Sequence, residues 1–190
     1  RIQYSTEGWD YWENYAGLIQ GQAWRALAET SLNAYQTGQV LAPVSWRDLD
    51  GKVWEPEDFA GKPTLFYFFF STCSNSEKYF KNYLWPLYQE TADQKGYRLV
   101  AVSVDGDRSL WKSELSTYSN PEILNLNMPL SEHESWLERY HIDAYPSTLL
   151  IDSAGRLLSF NLSGEDYSDY RDRFLKLLQD AEKNSTHLSK

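Results

Sequence analysis

A chain of 190 residues with 42% hydrophobic and 24% charged residues has the balance of a globular protein, long enough for one domain with a sizeable core plus an extension. A net charge of −9 with no cluster of Lys and Arg repels phosphate backbones and argues against nucleic-acid binding. One cysteine excludes an intramolecular disulfide and any multi-cysteine zinc centre, and the longest apolar run, Leu65 to Phe70, has the length of a strand rather than of a membrane span.

The chain begins at Arg1 without a methionine, as a trimmed chain or a mature product would, with a signal peptide or membrane anchor then lying ahead of it. Within residues 1–38, Trp9, Trp12, Ala16, Ile19, Ala23 and Leu27 recur at helical spacing, interrupted by Gly17 and Gly21, and predict one aromatic helix or two shorter ones. That face has two readings: it packs on the main domain, or it forms a dimer or partner surface. Alternating apolar residues around Asp50-Gly51, from Leu41 to Trp54, predict a hairpin. Gly61-Lys62-Pro63 then launches Thr64 to Phe70, apolar on both faces and therefore expected in the interior of a sheet covered on both sides.

Beyond Cys73 the period becomes helical: Phe80, Tyr83, Leu84 and Leu87 mark one face of a helix that Pro86 is expected to kink. Arg98 to Val104 reads as a second buried strand, after which Asp107 can cap a helix carrying Leu110, Trp111, Leu115 and Tyr118. Ser131 to Glu134 fits a capping box opening a helix that buries Trp136, Leu137 and Tyr140. Ser147 to Asp152 and Arg156 to Phe160 read as a hairpin across Ser153-Ala154-Gly155. A last amphipathic helix follows through Tyr167, Tyr170, Phe174, Leu177, Leu178 and Ala181, and then a polar, frayed tail over 184–190. Strands alternating with helices, and a late hairpin, predict an α/β domain over residues 39–183 with a mixed sheet.

Cys73 lies where the strand gives way to the helix. Unpaired N–H groups at a helix start favour a thiolate, and the thiolate is the nucleophile. The competing reading is a small buried hydrophobe, since free cysteine is often buried. The small polar neighbours Ser71, Thr72, Ser74, Asn75 and Ser76 argue for the reactive reading. The three histidines, His133, His141 and His187, combine into no recognisable site, and the acidic residues show no metal-ligand spacing.

Several segments together resemble the TlpA/ResA-type thioredoxin-like proteins: Leu41-Ala42-Pro43, Asp48-Leu49-Asp50-Gly51-Lys52, and Phe59-Ala60-Gly61-Lys62-Pro63 leading into the central strand. The strand ends on Thr72-Cys73-Ser74-Asn75-Ser76, in the place of the family's Trp-Cys-x-x-Cys motif. Downstream, Tyr140 to Gly155 is similar to the family's proline-containing segment that ends in Ile-Asp-x-x-Gly. The resemblance covers about residues 41–180. It implies a thioredoxin-like fold, with a central mixed sheet flanked by helices and preceded by an N-terminal hairpin and helical extension. It further implies thiol–disulfide exchange outside the cytoplasm, protein thiols or disulfides as substrates, a redox partner protein, and no metal or organic cofactor. Cys73 matches the attacking cysteine and Pro146 the cis-proline at which substrate polypeptide docks. Asp105 or Asp107 lies near the place where some members carry an acidic residue.

Two departures from the family pattern stand out. Thr72 replaces the tryptophan, and Ser76 replaces the resolving cysteine, either as a natural divergence or as an engineered Cys-to-Ser change. A serine hydroxyl does not cleave a mixed disulfide, so the expected cycle stalls there unless an external thiol resolves it. Two alternatives follow: a redox-silent binding module, and a single-cysteine thiol peroxidase. Against the peroxidase, Phe70 stands where such enzymes carry a threonine.

Overall fold

The computed structural model describes residues 38–140 and 142–187, with side chains described as far as Ala181. The aromatic helices expected before Gly38, together with His141 and residues 188–190, lie outside the described residues. The strands are β1 (Trp46–Asp48), β2 (Val53–Trp54), β3 (Thr64–Phe69), β4 (Arg98–Ser103), β5 (Leu124–Asn127), β6 (Ser147–Ile151) and β7 (Leu157–Phe160). They form one mixed sheet in the order β2-β1-β5-β4-β3-β6-β7. β3 runs parallel to β4 and antiparallel to β6, and all six of its residues are buried, as a strand apolar on both faces requires.

The alternation of β3 sorts the core into two layers. Phe66 and Phe68 join Trp46, Phe59, Val100, Val102, Trp136 and Leu137 on one face of the sheet. Leu65, Tyr67 and Phe69 join Phe80, Leu84, Trp111, Tyr170 and Phe174 on the other. The first face is covered by α4 (Leu130–Arg139). The second is covered by α1 (Ser74–Tyr79), α2 (Trp85–Lys95), α3 (Arg108–Tyr118) and α5 (Tyr167–His187). Rings make up much of both layers: Trp46 meets Phe59, Phe66 and Trp136 at centroid distances of 5.6, 5.4 and 5.8 Å. The Trp46 indole N–H donates to Sδ of Met128 at 3.1 Å, and both residues are fully buried.

The hairpin takes its shape from Asp48. Its carboxylate accepts from the N–H groups of Asp50 and Lys52 and from the indole of Trp54, closing the Asp48–Lys52 turn on its own side chain. Gly51, at φ 90°, supplies the left-handed residue that this turn needs. The Arg108 guanidinium donates to the Asp48 and Leu49 carbonyls and so ties the hairpin to α3.

Three elements differ from expectation. A π-helical turn, Phe80–Leu84, joins α1 to α2, immediately before Pro86. Proline offers no N–H and crowds the preceding turn, and the wider π geometry absorbs this where a simple kink was expected. The capping box at Ser131–Glu134 does not form: α4 is entered two residues earlier, from Pro129, without a side-chain cap. His133 leaves helical geometry at φ −130°, with Nδ1 3.1 Å from the Pro129 carbonyl oxygen. The helix α5 runs on to His187, so part of the segment read as a frayed tail is helical. The cap of α3 is Asp107, which accepts from Ser109 N–H and Leu110 N–H.

Gly164 sits where α5 packs closest to the preceding loop. A Cβ at this position would lie 2.5 Å from Tyr170 N and 2.7 Å from its Cα, backbone atoms that cannot swing aside. Gly164→Ala is therefore expected to push the start of α5 off the sheet and to cost about 1–3 kcal/mol, measurable as a lower urea midpoint. An unchanged midpoint would show that the helix start yields freely.

Candidate functional site

Cys73 caps the start of α1 in extended geometry, at φ −93° and ψ 104°. Two features of the chain place it there. A turn closed by Cys73 N–H donating to the Phe70 carbonyl at 3.0 Å ends β3. One turn further on, the Tyr67 hydroxyl, buried within the sheet layer, donates to the Ser76 carbonyl at 2.8 Å and pins α1 onto β3. The cysteine is free and half-buried.

Burial alone would raise the Cys73 thiol. It is outweighed by the Ser76 hydroxyl and the backbone N–H groups of Ser76 and Asn75, all of which favour the thiolate, and the thiol falls below its ordinary range. Ser76 is fully buried, and its Oγ has no hydrogen-bond partner within bonding geometry in the thiol form. Its favourable interaction is thus with charge on the sulfur, and not with a bond already made.

On the opposite side, the Cys73 thiol donates to the carbonyl oxygen of Tyr145 at 3.5 Å. The Tyr145–Pro146 peptide bond is cis. The half-buried rings of Phe70 and Tyr145, with centroids 6.4 Å apart, pack against each other and join the end of β3 to the proline segment. The fold therefore gathers Cys73, Ser76 and Pro146, which lie as far as 73 positions apart in the chain, at one end of the sheet. The Tyr145 carbonyl, a main-chain group, had no signature by which sequence could single it out.

The two acids near the site separate cleanly. Asp107 is the exposed helix cap. Asp105 is buried, and its carboxylate accepts from Ser71 N–H at 3.1 and 3.2 Å, from the Ser71 hydroxyl at 2.5 Å and from the Ser103 hydroxyl at 2.6 Å. Ser103 Oγ in turn accepts from Asp105 N–H, and the Asn127 amide donates to the Asp105 carbonyl. Ser71 is the second residue of the Phe70–Cys73 turn, so the carboxylate holds the turn that presents the thiol. Among the described residues, no group of three or more His, Cys, Asp and Glu is arranged to hold a metal ion, and no helix is long and apolar enough to cross a membrane.

Alkylation of Cys73 by iodoacetamide, which follows the thiolate fraction, is expected to reach half its maximal rate below the free-thiol value of about 8.5. In Ser76→Ala the half-maximal point is expected to move to higher pH, because one stabiliser of the thiolate is gone. A native thiol that alkylates only with the profile of a free cysteine would contradict this.

A family model described as thioredoxin-like matches residues 61–157, half of the chain, from the turn before β3 to the start of β7. Among curated proteins, the thiol-disulfide oxidoreductase ResA of Bacillus thuringiensis subsp. konkukian is 27% identical over 131 residues, covering 68% of this chain and 70% of its own. Among solved structures, a thiol:disulfide interchange protein from Bacteroides sp. is 27% identical with a TM-score of 0.63, covering 81% of this chain and 97% of its own. The thioredoxin domain of a thiol-disulfide oxidoreductase from Bacteroides vulgatus is also 27% identical, with a TM-score of 0.58, covering 73% and 97%. With the sheet order, the placement of Cys73 and these likenesses taken together, the chain belongs to the thioredoxin-like family and is a homologue of its thiol-disulfide oxidoreductases.

Proposed function

We propose that this protein exchanges disulfides with protein substrates through Cys73 and works outside the cytoplasm, as the family resemblance implies. The Cys73 thiolate attacks one sulfur of a substrate disulfide. The S–S bond breaks, the departing sulfur leaves as a thiolate and takes a proton, and Cys73 remains in a mixed disulfide. A second thiol must then attack the Cys73 sulfur. Ser76 occupies the position from which a cysteine would do so, and its hydroxyl does not attack disulfide sulfur. Resolution therefore falls to an external thiol, from a partner protein or a small molecule. The backbone around Tyr145–Pro146 is the docking edge for the substrate polypeptide in this reading.

The observation that carries the reading is the half-buried Cys73 thiol, drawn toward its thiolate by Ser76 and facing the Tyr145 carbonyl. Incubation with a disulfide-bonded peptide, followed by intact mass, is expected to show a one-to-one adduct at Cys73 that persists until dithiothreitol is added. Cys73→Ser is expected to form none. No adduct on a protein whose Cys73 still takes iodoacetamide would overturn the reading.

A further inference from the structure

The serine that leaves the exchange cycle open also suits a second chemistry. Ser76 Oγ is a buried hydroxyl with no partner in the reduced protein, at the residue whose side chain bears on the Cys73 sulfur. Leaving such a donor unpaired is unfavourable, and an acceptor atom on the sulfur would relieve it. On the other side, the Tyr145 carbonyl oxygen lies 3.5 Å from Sγ and accepts a hydrogen bond from the thiol. An oxygen carried by Sγ would thus meet a donor without a partner, and the hydrogen of an S–O–H group would meet a standing acceptor.

We propose that Cys73 is a peroxide-reactive site that holds a persistent sulfenic acid. The thiolate sulfur attacks one oxygen of hydrogen peroxide. An S–O bond forms and the O–O bond breaks; sulfur is oxidised, the peroxide is reduced, and the departing hydroxide takes a proton to become water. With a thiol at residue 76, the sulfenic acid would condense to an internal disulfide and lose water. The hydroxyl of Ser76 cannot condense in this way and instead donates to the new oxygen. The sulfenic acid then waits for an external thiol, which displaces water and gives a mixed disulfide at Cys73. A second thiol releases Cys73 and leaves with the first as a disulfide, so one peroxide and two thiols give one disulfide and two waters. Formation of the sulfenic acid is independent of the exchange reading, whereas its recycling passes through the same mixed disulfide and rests on that reading.

The test is to treat the reduced protein with one equivalent of hydrogen peroxide, capture with dimedone and map the adduct by mass. The expected result is a dimedone adduct at Cys73 that prior addition of a small thiol prevents. Ser76→Cys is expected to give an internal disulfide and no adduct. In Ser76→Ala the capturable species is expected to decay about tenfold faster, the loss of roughly one hydrogen bond. Absence of the adduct on a protein whose Cys73 takes iodoacetamide overturns the proposal, as does direct passage to the two-oxygen acid. An unchanged lifetime in Ser76→Ala overturns the part given to Ser76. A protein that forms the peptide adduct but no sulfenic acid keeps the exchange reading and loses this one; the reverse pattern keeps this one and loses exchange.

Discussion

Asp105→Ala is expected to lower stability by about 3 kcal/mol and, in the fraction still folded, to slow alkylation of Cys73. The carboxylate is buried and satisfies three donors: the Ser71 N–H, the Ser71 hydroxyl and the Ser103 hydroxyl. Alanine removes every acceptor at once. The hydroxyls can rotate toward other oxygens, but the Ser71 N–H is fixed at the end of β3 and is left unpaired in the protein interior. Asp105→Asn keeps one acceptor for that N–H while its amide serves the rotatable hydroxyls, so its loss is expected to be near 1 kcal/mol. Urea unfolding of the three proteins measures the first effect, and iodoacetamide kinetics at fixed pH the second. Asp105→Ala lying within about 0.5 kcal/mol of the parent would show that the turn is held by its neighbours and not by the carboxylate.

Ser76→Cys is expected to convert a protein that stalls after one exchange into one that turns over. The substitution is small: the site is fully buried and the Ser76 hydroxyl has no partner, so a thiol forfeits no formed hydrogen bond. Cys73 stands outside the helix in extended geometry, and the Ser76 side chain already bears on its sulfur, so a thiol at residue 76 starts beside the sulfur it must reach. The new thiol then attacks Cys73 in the mixed disulfide and frees the substrate. In an insulin-reduction assay with dithiothreitol as the stoichiometric reductant, the variant is expected to turn over several-fold faster than the parent, whose mixed disulfide must wait for the external thiol. Equal rates in the two proteins would show that residue 76 is not the resolving position.

Much of this domain was legible in its sequence because its signals are local. The run from Leu65 to Phe69 is apolar at every position, as a strand covered on both faces requires, and Asp107 followed by a helical apolar period identifies its own cap. β5 carried no such signal. Its sequence, Leu124-Asn125-Leu126-Asn127, alternates, but with asparagines, which are uncommon in strands. Their side chains turn out to be buried and to spend their amides on the main chain: Asn125 donates to the Asn120 and Ile123 carbonyls, and Asn127 to those of Ser103 and Asp105. The partners of Asn127 lie 24 and 22 positions away, so no local window contains its reason, whereas Asn125 bonds to main chain only five and two positions away in the loop that leads into the strand. The capping box failed for a related cause. Ser131 to Glu134 has the right residues, but the chain already enters α4 at Leu130, whose N–H donates to the Val104 carbonyl beside the sheet.

At the site the division is similar. The position of Cys73 between strand and helix was readable. Its surroundings, the Tyr145 carbonyl and the Asp105–Ser71 contact, join residues 72 and 34 positions apart. Which of the two acids would touch the Cys73 turn depended on where β4 ends relative to β3, a matter of register between strands.

The chain contains two sulfur atoms, and their placement makes oxidation of this protein unusually easy to read. Met128 is fully buried, with its sulfur engaged by the Trp46 indole, while Cys73 is half-buried and free. Oxidants that reach the folded protein therefore meet one sulfur and are kept from the other. Oxygen gained at Met128 reports that the Trp46 layer has opened, so the two sulfurs form a paired gauge: one records redox chemistry in the native state, the other the loss of that state.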